Sequence, residues 1–210
     1  MRRPSNKVVA KAADGTGPEE ELEAADKLPQ DWTRDGRYLL SATPNSLPKT
    51  GNDVWALPLT PGKSGAADKP LVLRNSEFNE WHPRVSPDGK WLAYMSNESK
   101  RNEVYVVGFP ALNGRWQVSV NGGALPVWSR DGRELYFIGP DRKLMAVPVK
   151  SGDQFQPGIP QPLFDVRLGQ TNPSYDVSAD GRFLIATPIE QQAVTTPLRV
   201  VLNWPAMLKK

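Results

Sequence analysis

The chain has 210 residues, 39% hydrophobic and 23% charged, enough to bury a substantial core, and its 17 Gly and 21 Pro demand frequent turns. Its 26 basic and 23 acidic side chains leave a net charge of +3 spread along the sequence, without the clustered basic stripe that nucleic-acid binding needs. Cysteine is missing, which excludes disulfides, thiolate zinc sites and cysteine nucleophiles; no apolar run approaches the roughly 20 residues that span a bilayer, and Met1 to Arg3 lead into polar residues, not a signal-peptide core.

In chain order, the first signals are Lys7 to Ala10 and Glu20 to Ala25 on either side of Asp14-Gly-Thr-Gly17, two strands about a turn. Glu19 to Ala25 also has helical propensity. It is read as a strand because of the place it takes in the repeat that follows.

That repeat decides the architecture. Asp31-Trp-Thr-Arg-Asp-Gly-Arg-Tyr-Leu-Leu40, Arg84-Val-Ser-Pro-Asp-Gly-Lys-Trp-Leu-Ala93, Val127-Trp-Ser-Arg-Asp-Gly-Arg-Glu-Leu-Tyr136 and Asp176-Val-Ser-Ala-Asp-Gly-Arg-Phe-Leu-Ile185 align without gaps. Their Asp-Gly pairs, at 35, 88, 131 and 180, recur every 43 to 53 residues. Asp-Gly favours a hairpin because Gly accepts positive φ and the Asp side chain bonds the backbone two residues on. Each unit therefore reads as a first strand before the pair, a second after it (Trp91 to Met95, Glu134 to Ile138), a third beyond a polar loop and a weaker fourth. The third strands are Val54 to Leu59, Val104 to Val107, Leu144 to Val147 and Leu198 to Leu202; the fourth are Leu71 to Leu73, Trp116 to Val120 and Leu163-Phe164.

Four antiparallel strands at this period describe blades of a β-propeller. The fold class is all-β, a partial β-propeller of about four blades with incomplete blades at both termini: a half blade over 1–28, blades over 29–75, 80–123 and 125–166, and an incomplete last blade over 173–206. Leu39, Leu92, Leu135 and Leu184 share one repeat position and are expected to pack blade on blade. Trp32 and Trp128 share another with Val85 and Val177 and are assigned to the same inter-blade core.

With Ser86-Pro-Asp-Gly-Lys90 and its degenerate copies, the chain resembles the TolB-like, WD40-like (PD40) β-propeller family over nearly its whole length. It is similar above all to the C-terminal propeller of bacterial eukaryotic-like serine/threonine protein kinases, through Asn79-Glu-Trp-His-Pro-Arg-Val-Ser-Pro-Asp-Gly89, Tyr94 to Ser99, Glu103 to Val106, Leu144 to Val147, Tyr175 to Ser178 and Val200 to Trp204. The resemblance implies a full ring of about six or seven blades, and hence that this chain is part of a longer protein. It implies a preceding kinase domain and membrane helix, and an extracytoplasmic or periplasmic location. A partial ring would expose strand edges and invite self-association.

The chemistry-bearing residues are sparse. His82 is the only histidine, with no Gly-x-Ser-x-Gly elbow to serve, and is read as a loop or packing residue. Gly62-Lys-Ser64 lacks the upstream glycine of a phosphate loop, and Gly15-Thr-Gly17 lacks the third glycine of a nucleotide-covering loop. Asp35, Asp88, Asp131 and Asp180 stand in separate hairpins and read as turn formers, not calcium ligands. Asn97-Glu-Ser99 fits the N-glycosylation pattern by chance. First strands line a propeller's central channel and the loops entering them form one rim. Asp31, Arg84 and Asp176 are therefore the channel candidates, and Glu80, Trp81, His82 and Arg84 the rim candidates.

The expected function is a noncatalytic interaction or sensing module with a protein partner, no nucleic acid, no membrane insertion, and neither cofactor nor metal. Two rivals stay open: a propeller that gates a prolyl-oligopeptidase-type peptidase whose hydrolase domain lies outside this chain, and a small-ligand or glycan binder using the channel.

Overall fold

The computed structural model describes residues 7–24, 27–43, 51–59, 69–150, 152, 154–169 and 175–188. They form antiparallel strands throughout. A hairpin of β1 (Lys7–Ala10) and β2 (Glu20–Ala24) comes first, so the Glu-rich segment is a strand. A four-stranded sheet follows: β3 (Leu28–Trp32), β4 (Tyr38–Thr43), β5 (Asp53–Pro58) and β6 (Leu71–Arg74), in that order. The next is β7 (Glu80–Val85), β8 (Trp91–Ser96), β9 (Glu103–Gly108) and β10 (Trp116–Gln117).

The third sheet holds β11 (Ala124–Trp128), β12 (Glu134–Ile138), β13 (Lys143–Lys150) and β15 (Gln161–Asp165), with β14 (Gln156–Pro157) pairing the far end of β13. A hairpin of β16 (Tyr175–Val177) and β17 (Phe183–Ile185) is last. None of the described sheets closes on itself, and together they form a partial β-propeller. The sequence reading lacks β14, and its expected strand over 198–202 lies outside the described residues.

The four Asp-Gly hairpins share one chemistry. Gly36, Gly89, Gly132 and Gly181 all have φ between +70° and +79°, the left-handed region that glycine enters without a Cβ penalty. In the second, Ser86 N–H donates to the Trp91 carbonyl at 2.8 Å and Gly89 N–H to the Ser86 carbonyl at 2.8 Å. The first and third hairpins repeat this five-residue span, from Thr33 to Tyr38 and from Ser129 to Glu134. Asp35 and Asp131 accept from the Thr33 and Ser129 hydroxyls at 2.7 Å, which holds both carboxyls below their usual range.

Side chains from facing sheets interlock to form the core. Leu40, Val54, Ala56 and Leu73 of the first four-stranded sheet meet Leu92, Tyr94, Tyr105 and Val107 of the second. Trp91, Ala93, Val104 and Val106 then meet Trp128, Leu135, Phe137 and Val147 of the third, with Phe155 seated between Trp91 and Trp128. Val127, Tyr136, Ile138 and Leu144 meet Tyr175 and Val177 of the last hairpin. Burial of each such leucine or valine contributes on the order of 1.5–3 kcal/mol, so the junctions carry most of the fold's stability.

Two assignments to this core need correction. Leu39, Leu92 and Leu135 are buried as expected, but Leu184 is 77% exposed. In the first three hairpins Trp32 pairs Leu39, Val85 pairs Leu92 and Trp128 pairs Leu135, whereas Val177 pairs Phe183. The last turn is one residue tighter, with Ser178 N–H donating to the Arg182 carbonyl at 2.8 Å. A one-residue slip moves every side chain of a strand to the other face. Phe183 and Ile185 therefore pack inward and Leu184 points out. Trp32 is 52% exposed, on the face opposite Leu40, with its indole beside the Gly36 turn.

Candidate functional site

The first strands β3, β7, β11 and β16 converge on one cavity of about 340 Å³. It is lined by Gln30, Asp31, Trp32 and Arg34 from the first unit, Arg84, Val85 and Pro87 from the second, Val127, Trp128, Ser129 and Arg130 from the third, and Tyr175 and Asp176 from the last. The three channel candidates, Asp31, Arg84 and Asp176, are thus brought together.

Polar links stitch the strands around this cavity. Arg84 donates through Nη1 to the Gln30 carbonyl, and Val85 N–H donates to Asp31 Oδ2 at 2.9 Å, joining β7 to β3. Trp128 Nε1 donates to the Arg84 carbonyl at 3.0 Å, joining β11 to β7. Arg130 Nε donates to the Val177 carbonyl at 3.3 Å while its guanidinium lies 4.0 Å from Asp176 Oδ2, and the Tyr175 hydroxyl donates to the Leu125 carbonyl at 2.7 Å. Burial raises the Asp31 carboxyl above the usual range, and Arg84 and the backbone N–H groups of Val85 and Trp32, the latter donating to Asp31 Oδ1 at 2.9 Å, work against that rise.

Each of the three long first strands carries a bulge, between Pro29 and Asp31, Trp81 and Arg84, and Ala124 and Val127. In the second and third the extra residue precedes a buried proline, Pro83 or Pro126, and takes a positive φ: His82 at 55° and Leu125 at 56°. Proline lacks a donor, so a bulge is where a strand tolerates it. The bend aims Arg84 and Val127 at the cavity.

The rim candidates do not gather at this mouth. Arg84 lines the cavity, but Glu80 is only 2% exposed, with the Ser76 hydroxyl donating to its Oε1 at 2.6 Å, and it lines a different cavity between the first two four-stranded sheets. Burial raises its carboxyl above the usual range. Trp81 is partly exposed, opposite Met95, with its ring 6.2 Å from that of His82. His82 is largely buried, and burial together with nearby Arg84 pushes its imidazole down to about 4, so it is neutral at pH 7. Sequence reasoning missed Trp32, Arg34, Arg130 and Tyr175 as cavity residues. A signal was present: Arg34, Pro87 and Arg130 all occupy the variable position before Asp-Gly.

Among the described residues no group of three or more His, Cys, Asp or Glu could hold a metal ion, and no helix is long and apolar enough to cross a membrane. Gly62-Lys-Ser64 lies outside the described residues.

No family model matches the sequence, and no curated protein matches it. Among solved structures it is similar to TolB from Acinetobacter baumannii, 16% identical at a TM-score of 0.62 over 85% of this chain and 42% of that one. A putative TolB from Agrobacterium tumefaciens is 16% identical at a TM-score of 0.53, over 76% of this chain and 61% of that one. A puromycin-hydrolyzing peptidase of Mycobacterium tuberculosis is 18% identical at a TM-score of 0.51, over 87% of this chain and 35% of that one. At these identities the likeness shows the fold alone, a propeller of TolB-like kind. The chain spans less than two thirds of each of these proteins.

Proposed function

We propose that the chain is a noncatalytic interaction module that docks a protein partner at the mouth of the first-strand cavity. The carrying observation is the composition of that mouth: the half-exposed Trp32 stands among Arg34, Arg84 and Arg130, with Asp31 and Asp176 interspersed, on strands stitched to one another. Exposed tryptophan and arginine on a rigid frame are the residues that dominate protein interfaces. The place of His82, partly buried at a structural bulge before a buried proline, supports its reading as a packing residue.

The resemblance to kinase-linked propellers supports a signalling role, as the outer part of a longer protein whose propeller lies outside the cytoplasmic membrane. Self-association through exposed strand edges belongs to the same reading. A second reading, a propeller gating a peptidase domain elsewhere in a longer protein, draws on the likeness to the M. tuberculosis peptidase. The reading frame adjoining this chain separates the two.

Docking itself is tested by placing a photo-crosslinking amino acid at Trp32 or Arg130, and at exposed Lys150 as the comparison, in cells that make the protein. The expected outcome is one shared protein adduct from positions 32 and 130 that position 150 does not give. Equal labelling from all three positions, or glycan and small-molecule adducts only, would overturn protein docking at the channel.

A further inference from the structure

Hydrogen bonding around the first-strand cavity leaves its acceptors engaged and its donors in surplus. Asp31 takes the Trp32 N–H on Oδ1 and the Val85 N–H on Oδ2, each at 2.9 Å, and Asp176 Oδ1 takes the Val177 N–H at 2.8 Å. The Gln30 carbonyl accepts from Arg84, and the Val177 carbonyl from Arg130 Nε. Arg34, which lines the same cavity, is exposed and has no hydrogen bond or ion pair among the described residues. Its neighbour Asp35 does not serve it, because that carboxylate is held in its own turn by the Thr33 hydroxyl and the Arg37 N–H.

Charge leads to the same result. Of the three arginines at the cavity, Arg84 acts on the Asp31 carboxyl and Arg130 lies 4.0 Å from Asp176 Oδ2. The positive charge of Arg34 is left over. A planar guanidinium suits a carboxylate, which it holds through two parallel N–H···O bonds. A dianionic phosphate would instead bring surplus negative charge toward Asp176, whose side chain is 59% exposed. Half-exposed Trp32 lies two residues before Arg34, and Val85, Pro87 and Val127 add apolar surface to the same walls. A charge pair gains strength where such surface displaces water.

We propose that the partner enters this mouth with an acidic side chain, its carboxylate accepting from the Arg34 guanidinium, and that an apolar residue next to it in the partner lies on Trp32. This rests on protein docking at the channel and adds the chemistry that selects the partner.

The probe is a library of random peptides displayed on phage and panned on the whole 210-residue chain. Enriched peptides are expected to share an Asp or Glu beside an apolar residue. The leading peptide, synthesised with both ends blocked so that its only carboxylate is that side chain, is then titrated by fluorescence anisotropy. Exchanging its Asp or Glu for the amide is expected to weaken binding about tenfold. Arg34→Gln should weaken the acidic peptide by a similar factor and leave the amide peptide unchanged, since the pair is then already broken. Arg133→Gln removes the same charge from a side chain that is 84% exposed outside the cavity, and should leave both peptides unchanged. Equal weakening by the two arginine variants would reduce the effect to net charge and overturn the proposal. Enriched peptides without an acidic residue that lose binding in Trp32→Ala would overturn it too, while leaving docking at the channel in place. No enrichment, or a pool that binds Trp32→Ala undiminished, would count against both.

Discussion

His82 shows how a residue's place in the fold sets its chemistry. It sits at a bulge, before a buried proline, with a φ of 55°, and burial plus the Arg84 charge lower its pKa from 6.5 to about 4. A depressed pKa means that the fold prefers neutral imidazole. The stability this gives is fully present above pH 6.5 and is lost as pH falls toward 4, by at most roughly 3 kcal/mol. Asp31 and Glu80 act in the opposite sense, since burial raises both carboxyls and their contribution is lost as pH rises through the folded values. Comparing the protein with His82→Asn isolates the imidazole, because asparagine tolerates positive φ. Urea unfolding at pH 7 and pH 4.5 should show the native chain losing about 1–3 kcal/mol more than the variant. Parallel losses would show that His82 is not held neutral by the fold.

At the scale of elements, the four hairpins are copies in sequence but not in register. Three span five residues from Ser or Thr to the closing carbonyl; the last spans four, which puts Phe183 against Tyr136 at 4.9 Å and turns Leu184 outward. Truncation of a packed side chain removes burial and leaves a cavity, whereas truncation of an exposed one does neither. Phe183→Ala should therefore cost about 1–3 kcal/mol in chemical denaturation, and Leu184→Ala less than about 0.5 kcal/mol. The reverse order would restore the register of the other hairpins. The repeat made the turn chemistry of all four plain, through Asp-Gly and the preceding Ser or Thr. The slip was not legible, because Asp180-Gly181-Arg182-Phe183-Leu184 aligns without a gap with the other three, Asp, Gly and Leu at the same places.

For the whole molecule, stability depends on how the sheets hold one another. Apolar clusters fill each junction, and around the channel a few polar links cross from one first strand to the next. Trp128 takes part in both, packing against Phe155 and donating from Nε1 to the Arg84 carbonyl. Trp128→Phe keeps an aromatic ring and removes the donor, leaving a carbonyl of β7 without that bond. A loss of about 1–3 kcal/mol is expected in the circular-dichroism unfolding curve. An unchanged midpoint would mean that the polar link contributes nothing beyond the packing. The same links keep Trp32, Arg84 and Arg130 in fixed relation at the cavity mouth, which is what the docking proposal requires of them.

The sequence by itself determined the strands, their hairpin turns and the repeat, because those follow from local rules: glycine at positive φ, aspartate bonding its own turn, alternation of side chains along a strand. It also put Asp31, Arg84 and Asp176 on first strands, and the structure brings those three to one cavity. Only the tertiary structure decided that Glu80 is buried between sheets, that Leu184 faces out, and that Arg34, Arg130 and Trp32 join the channel mouth. The physical reason is common to all three. Burial, register against a neighbouring strand and convergence on a cavity depend on what lies across the gap, and a linear pattern carries the period of a strand without the identity of the surface it meets.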